Sequence, residues 1–189
     1  MTYYGSKDLA AAFRTVRDNT IKIAEEIPEN KYDFKPAPDC RSVGQTLAHI
    51  ALGPGFQHHV QSSKVTDLKT VNFMELFQKF MAEEAKPRTK AELIAFLKSE
   101  GDTFASFLEG LPEAFLAEQV TMPPGAGPLT KVRFEMLMSA KEHEMHHRGQ
   151  LMTQQRMIGL VPHLTRQMQE RMQQMMASQQ TQSAASAQG

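Results

Sequence analysis

His143-Glu144-Met145-His146-His147-Arg148-Gly149-Gln150 is the stretch on which the reading of this chain turns. It lies inside a long segment of helical pattern that ends at Gly159, with Pro162 beyond. On a helix, residues four apart share a face, with Cβ atoms about 5–6 Å from each other. His143 and His147 therefore point the same way, about 40° apart around the axis, in company with Met136, Ala140, Gln150 and Gln154. That face is mostly apolar or neutral, as the interior of a bundle would be. Two imidazoles there need partners, because buried polar groups left unpaired are costly. A metal ion about 2.0–2.1 Å from each nitrogen would supply one.

A third histidine with a similar setting stands far upstream, His49 in Val43-Gly44-Gln45-Thr46-Leu47-Ala48-His49-Ile50-Ala51. One helix offering a ligand to a pair on another is a workable arrangement for a bundle core. The expected site is therefore His49, His143 and His147. His146 points some 60° to the other side of His143 and is a weaker candidate. His58 and His59 lie about 14–15 Å further along the His49 segment and read as surface residues. His163 falls beyond the Gly159 stop, without a spacing argument.

The same residues satisfy His-Glu-x-x-His, the zincin signature with Glu144 as its general base. The extended pattern fails, since Gln150 and Thr153 stand where glycine and histidine are required. Glu144 also projects roughly 80° from the centre of the histidine face. A peptidase is disfavoured.

Outward from this centre, helical periodicity dominates and no stretch gives a convincing strand. Leu9, Ala12, Phe13, Val16, Thr20, Ile23 and Ile27 form one stripe, with Ser6 as a plausible cap and Pro28 as the stop. A proline-rich loop follows from Glu29 to Arg41. Ser42 and Gln45 make a capping box for the helix carrying His49, which Gly53-Pro54-Gly55 should kink or end. Phe73, Leu76, Phe77, Phe80 and Met81 mark a short helix. Thr89 and Glu92 cap a long one bearing Leu93, Phe96, Leu97, Phe104, Phe107, Leu108 and Leu111, stopped at Pro112. Thr121 to Pro128 reads as a loop, and Thr130 can cap the last main helix. The predicted fold is all-α: a four-helix bundle over residues 1–163 with a short extra helix, then a Met/Gln/Ser-rich tail over 164–189. In that tail Met168, Met172 and Met175 keep helical spacing, whereas the last dozen residues read as weakly ordered.

Lysine plus arginine equals aspartate plus glutamate, 21 against 21 among 189 residues. A neutral chain has no field to hold nucleic acid through counterion release. The apolar runs fall well short of the roughly 20 residues that span a bilayer. Charges at Asp8, Arg14, Arg17 and Asp18 break any secretory leader, and the single Cys40 fits a reducing compartment. A cytoplasmic protein without nucleic-acid or membrane partners is expected.

In combination, Ser42-Val43-Gly44-Gln45-Thr46-Leu47-Ala48-His49-Ile50 and His143-x-x-x-His147-Arg148-Gly149-Gln150-Leu151 resemble the DinB-like family of metal-dependent four-helix-bundle proteins, over roughly residues 5 to 160. The resemblance implies a homodimer in which His49, His143 and His147 hold a divalent ion. It also implies a kinship with bacterial thiol-dependent transferases and a thiol-requiring maleylpyruvate isomerase. The Gly53-Pro54-Gly55 break and the tail depart from the family pattern.

Three neutral imidazoles leave a coordination position open, which is the catalytic arrangement. Zinc or nickel suits such a set best, and manganese or iron would also accept it. The expected function is a metal-dependent enzyme acting on a small molecule, as a hydrolase or a thiol S-transferase. The alternative is a non-catalytic, metal-stabilised binding or stress-response module. A third reading gives the Met-rich stripe a docking role, since methionine adapts to varied surfaces.

Overall fold

The Ser42/Gln45 box forms as the sequence requires: the Ser42 amide donates to Gln45 Oε1 (2.9 Å) and the Gln45 amide to Ser42 Oγ (3.2 Å). In a computed structural model, which describes residues 4–186, this box opens helix α2, Val43–Leu52. Before it runs α1, Ser6–Glu26, started by the Gly5 amide on Asp8 (2.9 Å) rather than by a Ser6 cap. The break at Gly53-Pro54 turns the chain without stopping it. Both residues keep helical backbone angles, and α3 continues over Gly55–Ser62.

Helix α4, Phe73–Glu84, is capped by Asn72 and buries none of its residues. The Thr89/Glu92 box then opens α5, Lys90–Glu109. A short α6, Glu113–Leu116, leads into two three-residue strands, β1 (Gln119–Thr121) and β2 (Thr130–Val132). They pair antiparallel, Gln119 opposite Val132 and Thr121 opposite Thr130. This ribbon corrects the strand-free reading and the role given to Thr130, which lies in β2 instead of capping a helix. Each strand is too short to show a period of two. The segment docks because the Thr121 amide donates to Thr66 O (2.8 Å) and the Arg133 amide to Glu118 O (2.9 Å).

Helix α7, Arg133–Met157, carries the histidine pair. Gly159 ends it at φ +85°, where the Leu160 amide donates to Gln155 O (2.8 Å). Helix α8 spans His163–Ser186. His163 is buried against Asn19 (3.0 Å), but Met168, Met172 and Met175 further along are exposed. The expectation for the last dozen residues lies partly outside the described ones.

Helices α1, α2, α5 and α7 pack as a four-helix bundle, α1 and α2 each against both α5 and α7. One apolar cluster holds Ile23, Ile27, Leu47, Ile50, Leu97 and Leu151, and another holds Leu9, Phe13, Phe104, Leu108 and Leu137. Between them along the helices lies a polar level made by Arg17. Its guanidinium pairs with Glu144 of α7 (2.9 Å) and donates to Leu97 O of α5 (2.7 Å) and Ile50 O of α2 (3.2 Å). Gly101 makes room, since a Cβ there would sit 2.8 Å from Arg17 Cγ.

Glu144 is 1% exposed, so removing one partner strands a buried charge. Arg17→Ala or Glu144→Ala should lower unfolding free energy by about 3–5 kcal/mol. The paired change Arg17→Met with Glu144→Leu should recover most of it. Guanidinium unfolding of the four proteins checks this, and equal losses in single and double variants would refute it.

Candidate metal centre

The i,i+4 pair on α7 and His49 on α2 come together. Ring centroids lie 4.9 Å (His49–His143), 4.6 Å (His49–His147) and 4.5 Å (His143–His147) apart. The three ligand atoms lie within 4.8 Å of one another. His49 Nε2 and His143 Nε2 are 3.1 Å apart, near the separation of two nitrogens each about 2.0–2.1 Å from one ion.

The outer nitrogens explain the inward direction of the rings. His49 Nδ1 donates to Glu84 Oε2 (2.8 Å), and His147 Nδ1 donates to Gln150 Oε1 (2.8 Å). Each bond puts the ring proton on Nδ1 and leaves Nε2 as a lone pair facing the centre. Gln150 is held in turn by His146, its Nε2 donating to His146 Nε2 (3.1 Å). His143 Nδ1 is buried with no partner among the described residues, and it lies 2.7 Å from where a Cβ on Gly53 would be. Only glycine at 53 lets this ring sit where it does.

The Nε2 atoms of His49 and His143 face each other at 3.1 Å, a separation that suits a hydrogen bond between the rings or a cation shared by them. The donor set fits a divalent ion of borderline softness. Burial, helped by the neighbouring His147 and His49, pushes His143 down to about 4. Burial also lowers His147, against the hydrogen bond to Gln150. Both rings are thus neutral at pH 7, the form that ligates. Burial raises Glu84, but its bonds to Arg41 and His49 outweigh this and hold it below the ordinary carboxylate value. Arg41 Nε reaches Glu84 Oε1 at 2.6 Å.

His146 is exposed and serves Gln150, away from the cluster. Glu144, the motif's would-be base, is committed to Arg17. His59 is exposed as expected, but His58 is half-buried, its ring 4.7 Å from that of Phe107. Glu84, Arg41 and Gly53 were not singled out as site residues from sequence. Glu84 lies 35 residues from His49 on a separate helix.

Two cavities adjoin the histidines. One, about 330 Å³, touches His49 and His143 and is walled by Phe56, Phe77, Phe80 and Met81. The other, about 660 Å³, touches His147 and is lined by Asp39, Cys40, Thr46, Gln150 and Gln154. Arg41 borders both.

A bundle with three converging histidines defines a class, and the comparisons agree with it. The model of the DinB superfamily matches residues 12–151, a span containing all three histidines. This chain belongs to that superfamily. It is similar to the uncharacterized protein YjoA of Bacillus subtilis, 24% identical over 154 residues, covering 82% of this chain and 91% of that one. Among solved structures it is similar to a DinB-like protein from Bacillus cereus (TM-score 0.65, 15% identity, 85% of this chain and 97% of that one). It is also similar to YfiT from Bacillus subtilis (TM-score 0.64, 12% identity, 85% and 91%), described as "a probable metal-dependent hydrolase with an unusual four-helix bundle topology". At these identities the likeness shows the fold alone. No helix among the described residues is long and apolar enough to cross a membrane.

A folded His143 near pH 4 binds its proton less readily than an unfolded histidine near 6.5. Its contribution to apoprotein stability is fully present above about pH 6.5, declines below that, and is lost as pH falls through about 4. Denaturation midpoints of chelator-treated protein at pH 7.5, 6 and 5 check this. The His143→Gln variant should show a flatter profile.

Proposed function

We propose that this protein is a divalent-metal-dependent enzyme acting on a small molecule, as a hydrolase or a thiol S-transferase, with His49, His143 and His147 as ligands. The observation that carries the reading is the convergence of three imidazole nitrogens beside an open cavity. Zinc or nickel fits three neutral nitrogens best, with manganese or iron also acceptable. A bound ion supplies Lewis acidity, polarising a carbonyl or lowering the pKa of water or a thiol.

This chain's own residues orient and enclose. Glu84 and Gln150 fix the tautomers of His49 and His147, and Gly53 leaves space for His143. A second, more polar hollow beside His147 favours the transferase form, because group transfer needs room for two reactants. The homodimer and the cytoplasmic setting belong to the same reading.

One observation favours the alternative, a non-catalytic module stabilised by metal. The carboxylate that the sequence motif offers as a base, Glu144, is sealed against Arg17. Melting with and without chelator separates the two when paired with a panel of thiol and ester substrates. A large chelator-induced loss of stability without turnover favours the module.

Elemental analysis of purified protein should find about one divalent ion per chain, and His49→Ala, His143→Ala and His147→Ala should each lose most of it. Unchanged metal content in all three variants ends the reading. Glu84→Gln should weaken ion affinity by roughly 10- to 100-fold with helicity unchanged, because it loosens the tautomer lock on His49. Competition against a chromogenic chelator measures that shift.

A further inference from the structure

Helix α4 carries six large apolar residues and buries none of them. Phe77 is 60% exposed, Met81 56% and Met74 66%. An apolar face that adds nothing to the core has another use. Its position suggests which. A hollow of about 410 Å³ is walled entirely by Phe56, Phe73, Met74, Leu76, Phe77 and Phe80, without a polar or charged residue. Three of these, Phe56, Phe77 and Phe80, also wall the cavity that reaches His49 and His143. The two spaces therefore adjoin. The charged residues lining them, Arg41 and Glu84, border only the cavity at the histidine end.

We propose that the substrate of this centre is an amphiphile, with a small metal-binding head and an apolar tail of about six or more carbons lying in the α4 trough. This deepens the function proposed above and rests on the metal-centre reading. Each space lies in the 300–1,000 Å³ range of small-molecule sites, and the two share Phe56, Phe77 and Phe80 as walls. The Phe56 and Phe73 rings stack at 5.7 Å and 28°, giving the apolar region a flat aromatic wall. Gly55 lets Phe80, a wall of both spaces, keep its place: a Cβ there would meet Phe80 Cε1 at 2.8 Å, so a larger residue would drive that ring away. The Gly53-Pro54-Gly55 element thus seats a ligand ring with its first glycine and an aromatic wall with its second.

Straight-chain alkyl hydroxamates probe head and tail separately. Titration calorimetry on the full, zinc-loaded chain would compare acetohydroxamate with octanohydroxamate. A fully buried methylene is worth about fourfold in affinity, and a trough open on one side should give about twofold for each, roughly 60-fold over six. Phe77→Ser should weaken octanohydroxamate at least fivefold, with a loss that grows with chain length, and Gly55→Ala should act in the same direction. Acetohydroxamate binding that requires zinc but shows no chain-length gain overturns the trough and leaves the metal centre standing. A chain-length gain that persists after chelation, or no binding by either probe, overturns this proposal, while the metal reading stands or falls separately on the metal content of the three histidine variants. Sedimentation velocity adds a further arm. If Phe77→Ser converts a dimer to a monomer, the face is an interface between copies, and the proposal falls.

Discussion

One arginine ties the bundle together at the height of its functional level. Arg17 leaves α1 and reaches α2, α5 and α7 through Ile50 O, Leu97 O and the Glu144 carboxylate. Each of the two helices that bring the histidines together is held one residue from a histidine, at Ile50 beside His49 and at Glu144 beside His143. An ion pair buried this deeply repays its desolvation only if its hydrogen bonds are completed. Two backbone carbonyls complete them here. Pro54 contributes to this arrangement: having no amide hydrogen, it cannot bond the carbonyl four residues back, which is that of Ile50. The Ile50 oxygen accepts from the Gly53 amide (3.3 Å) and, on its other side, from Arg17 (3.2 Å). A residue that would ordinarily weaken a helix provides an acceptor that the clamp requires.

Local features were legible in the chain, and long-range ones, apart from the meeting of His49 with His143 and His147, were not. The four-residue spacing of His143 and His147, the Ser42/Gln45 and Thr89/Glu92 boxes and the Gly159 stop are set by contacts within one or two turns, and sequence carries those directly. The Arg17–Glu144 pair spans 127 residues, and Glu144 had a misleading local meaning as the middle of a zincin motif. Gly101 in the interior of α5 was the available hint of a close approach, but nothing in the sequence says which side chain passes there. The β1–β2 ribbon escaped notice because three residues give no period, and its docking depends on Thr66, over fifty residues away.

The site's polarity follows from the same economy of contacts. Glu144 is nearer in sequence to the histidines than any other carboxylate except Glu142, yet it faces the bundle interior and belongs to the fold. Glu84, far away in sequence, is the carboxylate that touches a histidine of the cluster. The difference is angular. On α7, residue 144 is turned about 100° from residue 143, toward Arg17 and away from the cluster. The motif's spelling is satisfied, but its geometry is spent on stability.

That division leaves α4 with a double duty. It has no buried residues of its own, so its place on the bundle depends on its contacts with α2 and on the bonds of its last turn. Glu84 sits in that turn and is gripped by Arg41 (2.6 Å) and by His49 (2.8 Å). The apolar wall begins about one turn earlier with Met81 and Phe80, and continues through Phe77. The carboxylate that fixes the tautomer of His49 is therefore also the anchor for the apolar wall. A change at Glu84 cannot alter the histidine cluster without also loosening the trough, whereas a change at Phe77 alters the walls of both spaces and leaves the Glu84 bonds in place. Elements with little buried surface sit at the low end of local stability. In α4 the few polar bonds near the histidines thus carry more of the helix's placement than equivalent surface bonds do elsewhere on the bundle.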